Sequence, residues 1–185
     1  MVQQIQRKLN DSALARWAAL ILIALMMFFA YMFVDVLSPL STLLETSKGW
    51  SAETYGTFCS SEYFLNVFAF FLIFAGIILD KMGIRFTGIL SGAVMVIGAS
   101  IKLYAISDMF TPDSGLYRFL DSFWTSFPAT AKLASVGFMI FGCGVEMGGV
   151  TVSKAIAKWF KGKEMALAMG LEMAIARLGV FAVFR

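Results

Sequence analysis

Two charged residues lie inside long apolar runs in the last third of the chain, Glu146 in one run and Arg177 in the next. Glu146 lies 15 residues before Lys161 and Arg177 lies 14 residues after Lys163, on either side of a basic turn. At about 1.5 Å per helical residue each is roughly 21–22 Å from that turn, so both reach similar depths if the runs span a bilayer. Charges at mid-membrane are costly and usually mark a substrate path or a paired network. The pair therefore predicts either a site for the two ends of a zwitterion or a structural ion pair between neighbouring helices.

Two further polar side chains are candidates for the same path. Tyr31 lies one helical turn before Asp35, near the end of the first apolar run, where it could line a cavity. Glu62 lies in the second run, one turn before Asn66 and on the same helical face. Glu62 either binds substrate or protons or is a structural acid of an outer vestibule, and Asp35 is either solvated at the interface or part of the path.

The composition is that of an integral membrane protein. The 185 residues are 59% hydrophobic and 15% charged, whereas soluble domains have about 45–50% apolar and about 25% charged residues. The apolar runs are long and do not alternate with polar residues, which predicts an all-α membrane protein rather than a β-barrel. The chain has no histidine and two isolated cysteines, Cys59 and Cys143. We therefore expect no metal site, no cofactor, no nucleic-acid partner and no enzyme activity.

The apolar runs predict about five transmembrane helices, each near the 20 residues that a bilayer requires. They lie at roughly 17–37, 55–79, 86–106, 130–156 and 165–185. A polar lead, residues 1–16, precedes them, and Asn10 or Asp11 is expected to cap the first helix. No cleavable signal is expected, because the first run is too long and lacks a small-residue cleavage site.

The loops on the far side of these spans predict membrane-interface contacts. Residues 107–128 contain several aromatic side chains and predict an interfacial amphipathic helix. Trp50 is expected at the interface, and Lys102 is expected to extend its ammonium group toward it.

Basic residues are distributed unequally between the two sides of the spans. One side carries nine of them: Arg7, Lys8, Arg16, Lys81, Arg85, Lys154, Lys158, Lys161 and Lys163. The opposite loops carry three: Lys48, Arg118 and Lys132. The positive-inside rule therefore predicts a cytoplasmic N-terminus and cytoplasmic short turns.

Gly144 and Gly148 form a GxxxG pair around Glu146. Small residues let a neighbouring backbone approach, or they leave room for a ligand. The pair predicts either close helix packing or a cavity beside the acid.

The turn between the second and third spans reads Gly76-Ile-Ile-Leu-Asp80-Lys81-Met-Gly83-Ile-Arg85. It resembles the signature GxxxD(R/K)xGx(R/K) motif of the major facilitator superfamily of transporters. The resemblance implies a gate latch, in which Asp80 caps a helix of a second half and Lys81 and Arg85 join a cytoplasmic charge network. A carboxylate is favoured at a helix N-terminus. A plain basic turn would explain the cations but not Gly76, Asp80 and Gly83 together.

A narrower resemblance comes from residues 158–164, KWFKGKE, and residues 176–179, ARLG. These stretches are similar to the lysosomal dipeptide transporter branch of the same superfamily. The resemblance implies that Glu146 binds the amino end of a peptide and that Arg177 binds its carboxylate. Bidentate binding of a carboxylate is also what a guanidinium does best.

The sequence thus predicts the N-terminal portion of a transporter that moves small zwitterionic solutes, dipeptides foremost, by alternating access. The superfamily has two six-span halves with the site between them, so residues 17–185 are expected to form an incomplete N-terminal transmembrane bundle, with the C-terminal half of the transporter missing. One alternative is a proton-coupled carrier of another solute, with the proton on Glu62 or Asp35. Another is a truncated membrane interaction protein that does not transport. Residues 1–16 contain no acidic dileucine signal, so a cell membrane rather than a lysosome is expected.

Overall fold

The protein is all-helical over the residues that its structure, a computed structural model, describes, which are 12–184. Seven α-helices follow one another without a strand in this range: α1 Ala13–Asp35, α2 Ser41–Lys48, α3 Ala52–Phe68, α4 Phe71–Ile106, α5 Gly115–Asp121, α6 Ala129–Trp159 and α7 Met165–Val183. Ser12 caps α1, because its Oγ accepts a hydrogen bond from the Ala15 amide at 3.4 Å. The candidate caps Asn10 and Asp11 and residues 1–9, like Arg185, lie outside the described residues. The predicted all-α class is confirmed.

Four stretches are long and apolar enough to cross a bilayer: Ala13–Lys48, Phe71–Ile106, Ala129–Trp159 and Met165–Val183. The chain is therefore a multi-pass membrane protein. The predicted second span, 55–79, is divided into α3 and the start of α4 by a break at Ala69 and Phe70, where Phe70 has a φ of 50°. Residues 67–71 are a run of Val, Phe, Ala, Phe and Phe, and β-branched and aromatic side chains lose χ1 freedom in a helix, so this is a weak point for helix continuity.

Helix α3 runs parallel to α6. Phe58 of α3 stacks on Phe138 of α6 with ring centroids 4.8 Å apart. Glu62, one turn further along α3, lies against Gly142, one turn further along α6. The residue numbers rise together, which defines the parallel direction.

The second limb of α4, residues 84–106, runs antiparallel to α6. Ser91 donates a hydrogen bond from Oγ to the Gly144 carbonyl at 2.8 Å, and Gly98 lies against Gly137. The chain must therefore reverse between α3 and this limb. It does so at Gly83, whose φ of 82° and ψ of 171° interrupt α4 in a conformation that favours glycine. This is the short turn predicted at 80–85.

The GxxxG pair of α6 packs against the second limb of α4. A Cβ on Gly144 would come 2.6 Å from the Met95 side chain, and a Cβ on Gly148 would come 2.9 Å from the Ser91 hydroxyl. Of the two interpretations of the GxxxG pair, close helix packing or a cavity beside Glu146, these contacts agree with close packing, because small residues let two backbones approach closely.

The beginning of α1 and both basic turns lie at the same end of the bundle. Arg16 pairs with Glu164, which precedes α7, at 3.6 Å. Lys154, near the end of α6, pairs with Asp80 at the 80–85 turn. This end therefore carries the described members of the nine basic residues that the sequence assigns to one side.

Two expected interfacial side chains are instead buried. Trp50 is 1% exposed and donates from Nε1 to the Thr130 hydroxyl at 2.9 Å, which ties the start of α3 to α6. Lys102 is 3% exposed and donates from Nζ to the Phe33 carbonyl at 2.6 Å. Phe33 lies in the last turn of α1, whose carbonyls lack helical partners, so the lysine caps that helix end.

The segment that joins α4 to α6 contains the short helix α5. Its C-terminal end is held by Lys132, whose Nζ donates to the Leu120 carbonyl at 2.5 Å and to the Phe123 carbonyl. The side chains of Phe119, Phe123 and Trp124 are exposed. A helix is present as the sequence predicts, and its location at a membrane interface stays a prediction.

Candidate functional site

A small polar cavity of about 180 Å³ lies between α1, α6 and α7. Eight residues line it: Met27, Tyr31, Gly149, Ser153, Glu172, Met173, Ala176 and Arg177. The guanidinium carbon of Arg177 lies 5.4 Å from the centroid of the Tyr31 ring, a cation–π arrangement that orients the planar group. The structure thus brings together two of the four predicted substrate-binding residues, from helices far apart in sequence.

The contact between α1 and α7 depends on Gly179, two residues after Arg177. A Cβ at this position would come 2.1 Å from the carbonyl oxygen of Phe28 and 3.2 Å from the Met32 amide. The backbone of α7 therefore rests directly on that of α1. Because Tyr31 lies between Phe28 and Met32 in the contact, this close approach sets the distance at which Arg177 meets the ring.

Glu146 is next to the cavity but is not part of its wall. It lies three residues before Gly149 and seven before Ser153, both of which line the cavity, so the three share one face of α6. At about 1.5 Å per residue, Glu146 is about 5 Å along the helix axis from Gly149 and about 11 Å from Ser153. Within residues 12–184, Glu146 and Arg177 form no ion pair with each other. The two charged side chains are therefore not paired with each other.

Glu62 belongs to the contact between α3 and α6 rather than to the cavity. It is 6% exposed, and a Cβ on Gly142 would come 2.9 Å from its Cγ. Lys102 and Glu146 are charged residues that interact electrostatically with it. Glu62 is therefore a neighbour of Glu146 on the side of α6 that faces α3.

The sequence reasoning did not single out Glu172 or Ser153. Glu172 is partly buried and lines the same cavity as Arg177. Its signal was available, because it is an acid in the middle of an apolar helix, five residues before the arginine. The sequence does not show that the face of α7 carrying Glu172 packs against α1 and α6.

The predicted gating motif, residues 76–85, lies at the end of the bundle where the basic turns meet. The carboxylate of Asp80 accepts a hydrogen bond from Lys154 Nζ at 2.5 Å, a partner on α6 that the sequence did not predict. Lys81 and Arg85 are exposed and form no ion pair among the described residues. A Cβ on Gly76 would meet nothing within 4 Å. Lys81 and Arg85 therefore lie on the surface of the described chain, whereas Asp80 is paired with Lys154.

A larger cavity of about 600 Å³ lies between α1 and the second limb of α4. Its wall is apolar except for Ser100 and Lys102, and Lys102 is already bonded to the Phe33 carbonyl. The part of the chain that the structure describes contains no group of three or more metal-ligating side chains. The polar cavity beside Arg177 is therefore the candidate site.

Comparison with known proteins gives partial matches to one kind of transporter. The chain is 30% identical over 107 residues to Lysosomal dipeptide transporter MFSD1 of Bos taurus and, with the same figures, to that of Homo sapiens; the match covers 57% of this chain and 19% of each relative. A shorter stretch of 47 residues is 45% identical to Lysosomal dipeptide transporter MFSD1 of Danio rerio, covering 25% of this chain and 10% of the relative. No family model and no solved structure matches the chain.

The matched residues span about a fifth of the length of these curated relatives, which are 19% covered. The resemblance to the lysosomal dipeptide transporters that the sequence motifs carry is confirmed by these matches, and it is a resemblance to one part of such a transporter.

Proposed function

We propose that this chain forms part of a membrane transporter, and that its solutes are small zwitterions, dipeptides foremost, moved by alternating access. No enzyme activity is proposed. The observation that carries the proposal is the polar cavity in which the Arg177 guanidinium lies over the Tyr31 ring, with Glu146 on the α6 face that also carries Gly149 and Ser153 of the cavity wall. A guanidinium held by a ring presents its donors to a carboxylate in a fixed orientation.

The distance from Glu146 to the cavity wall is compatible with a two-ended substrate. An extended dipeptide spans about 7 Å, at about 3.3–3.6 Å per residue. Glu146 lies about 5–11 Å along α6 from the two cavity residues Gly149 and Ser153. Arg177 would take the carboxylate, Glu146 would take the amino group, and the peptide would lie along the α6 face between them.

The absence of an ion pair between Glu146 and Arg177 in the described chain favours this function over a structural role. A structural pair at mid-membrane is expected to be closed, because each isolated charge costs several kcal/mol in a low-dielectric interior. Two opposite charges that face one path without neutralising each other are suited to a ligand that supplies both countercharges.

The proposed orientation puts the N-terminus and the two basic turns in the cytoplasm. The clustering of Arg16, Asp80, Lys154 and Glu164 at one end of the bundle supports it. The membrane proposed from the sequence is the cell membrane, whereas the relatives are named lysosomal. Microscopy of the tagged protein with plasma-membrane and lysosomal markers distinguishes the two locations.

The test of the function is thermal stabilisation of the purified chain by peptides. Ala-Ala should raise the Tm, whereas N-acetyl-Ala-Ala and Ala-Ala-amide should raise it much less, because each loses one terminal charge. Arg177→Lys and Glu146→Gln should each reduce the effect of Ala-Ala, and the controls Arg85→Lys and Glu45→Gln, at exposed positions outside the cavity, should leave it unchanged. Equal stabilisation by the free and blocked peptides, or none by any of them, contradicts the proposal.

A further inference from the structure

We propose that helix α5, with Phe123 and Trp124 just after it, forms a lipid-binding surface that inserts its apolar side into the leaflet opposite the basic turns. The lipid it contacts is the phospholipid of that leaflet, at the level where headgroups meet acyl chains. Helix α5 contributes no residue to the polar cavity beside Arg177, so this inference does not depend on the proposed function.

One side of α5 exposes large apolar side chains. Leu116, Phe119 and Phe123 follow one another at positions i, i+3 and i+7, which lie on one side of a helix, and all three are exposed. The ring centroids of Phe119 and Phe123 are 5.7 Å apart. Contiguous exposed apolar side chains, unlike scattered ones, mark an interaction surface.

The other side of α5 is charged. Arg118 is about 200° around the helix axis from Leu116, and Asp121 is about 200° from Phe119. Both charged side chains are exposed, and the Arg118 guanidinium lies 4.0 Å from the Asp113 carboxylate. A helix with one apolar side and one charged side is suited to the plane of a membrane interface, because it faces lipid and water at once.

The depth of α5 is set by its attachment to α6. Lys132 of α6 donates from Nζ to the carbonyls of Leu120 and Phe123, at the end of α5. Lys132 lies 22 residues before Lys154 on the same helix, which is about 33 Å along the axis. Lys154 pairs with Asp80 at the basic end of the bundle, and the hydrocarbon core of a bilayer is about 30 Å thick. With Lys154 at one boundary of the core, the end of α5 is therefore at the other.

Aromatic contacts join α5 to a surface of α4 that faces lipid. The ring of Tyr117 in α5 lies 5.1 Å from that of the buried Phe110, which lies 5.6 Å from the ring of Tyr104 in α4. Tyr104 and its neighbour Leu103 are exposed, on a helix long and apolar enough to cross a bilayer. The exposed side of α5 thus continues the surface that this span presents to lipid.

Trp124 adds an aromatic ring of the kind that membrane interfaces favour. It is exposed, and its ring stacks on that of the buried Phe127 with centroids 5.0 Å apart. The stacking fixes the tryptophan next to Phe123, at the depth that Lys132 sets.

The first test measures which side of α5 faces lipid in vesicles of phosphatidylcholine. In the full chain carrying Cys59→Ser and Cys143→Ser, a nitroxide label is attached through Phe119→Cys or through the control Arg118→Cys, at the adjacent position. The Phe119→Cys label should collide more often with oxygen, which concentrates in hydrocarbon, than with a water-soluble nickel complex. The Arg118→Cys label should show the reverse preference.

Two results of this test would overturn the proposal. A preference for the nickel complex at both positions would place α5 in water. Protection of both labels from both reagents would show that protein, and not lipid, covers the surface.

The second test keeps the native cysteines and needs no label. The vesicles contain phosphatidylcholine brominated near the glycerol end of its acyl chains, and bromine quenches tryptophan fluorescence on contact. Trp124→Phe should lower the fraction of fluorescence that is quenched, because it removes an emitter in contact with lipid. The control Trp50→Phe should raise that fraction, because Trp50 is 1% exposed and is not quenched. An unchanged or raised fraction in Trp124→Phe would overturn the insertion of this surface.

Discussion

Replacing Gly179 by alanine tests the packing that brings Arg177 to Tyr31. The added Cβ would come 2.1 Å from the Phe28 carbonyl oxygen, and such contacts below 3.0 Å are essentially never seen. Helix α7 must therefore move away from α1 by about 1 Å, since neither backbone can yield locally. Overpacking of this kind costs about 1–3 kcal/mol.

The matched control is Gly170→Ala, on the same helix, where a Cβ would meet nothing within 4 Å. Alanine gains about 1 kcal/mol over glycine in a helix interior at both positions, so this gain cancels when the two variants are compared. The difference between them should then be the overpacking cost of about 1–3 kcal/mol. For a chain of this length that corresponds to a Tm lower by roughly 2–12 °C for Gly179→Ala than for Gly170→Ala.

The assay is thermal unfolding of each purified variant in detergent, followed by far-UV circular dichroism. Gly179→Ala should also lose most of its stabilisation by Ala-Ala, because a displacement of about 1 Å at a binding group is enough to disrupt a positioned contact. Equal melting temperatures for the two variants would refute the close contact between α1 and α7, and with it the positioning of Arg177.

Two further predictions concern the fold around the site. Trp50→Phe and Thr130→Val should show a coupling free energy of about 0.5–1.5 kcal/mol in a double-mutant cycle of thermal stability. The reason is that the buried hydrogen bond of 2.9 Å from Trp50 Nε1 to Thr130 Oγ1 is lost in either variant. Additive effects of the two substitutions would show that the side chains are not in contact. Gly83→Ala should destabilise the chain by about 1–3 kcal/mol, since a φ of 82° strains any residue with a Cβ. The control Gly76→Ala, with nothing within 4 Å, should not, and equal unfolding temperatures of these two variants would argue against the reversal at Gly83.

Local patterns in the sequence were sufficient to predict the long apolar helices and the turn at 80–85. Hydrophobic run length alone identifies α1, α6 and α7, and the Asp80–Gly83 spacing locates the reversal. The break at Phe70 was not predicted, because the run from 55 to 79 contains no proline that would end a helix. Helix interruptions of this kind depend on side-chain crowding more than on hydrophobicity.

Interhelical contacts were the part that the sequence could not supply. Trp50 and Lys102 have the types and positions of interfacial residues, yet both are buried. Trp50 is hydrogen-bonded to Thr130, and Lys102 is hydrogen-bonded to a carbonyl at the end of α1. Glu172 was overlooked for the same reason, since its importance comes from the faces of α1 and α6 that it meets. Tyr31 and Arg177 were predicted separately, and the close approach at Gly179 is what joins them.

Two sides of helix α6 make different contacts: one packs against α4 and the other forms part of the cavity wall. Gly144 and Gly148 face the second limb of α4, whereas Glu146, two residues after Gly144, is about 200° around the axis from it. Gly149 and Ser153 continue the Glu146 side into the cavity wall. A substitution at Gly144 or Gly148 therefore changes how tightly α6 is held, and a substitution at Gly149 or Ser153 changes the wall of the cavity. This division allows the binding face to be altered for a different solute while the contact that fixes α6 in the bundle is kept.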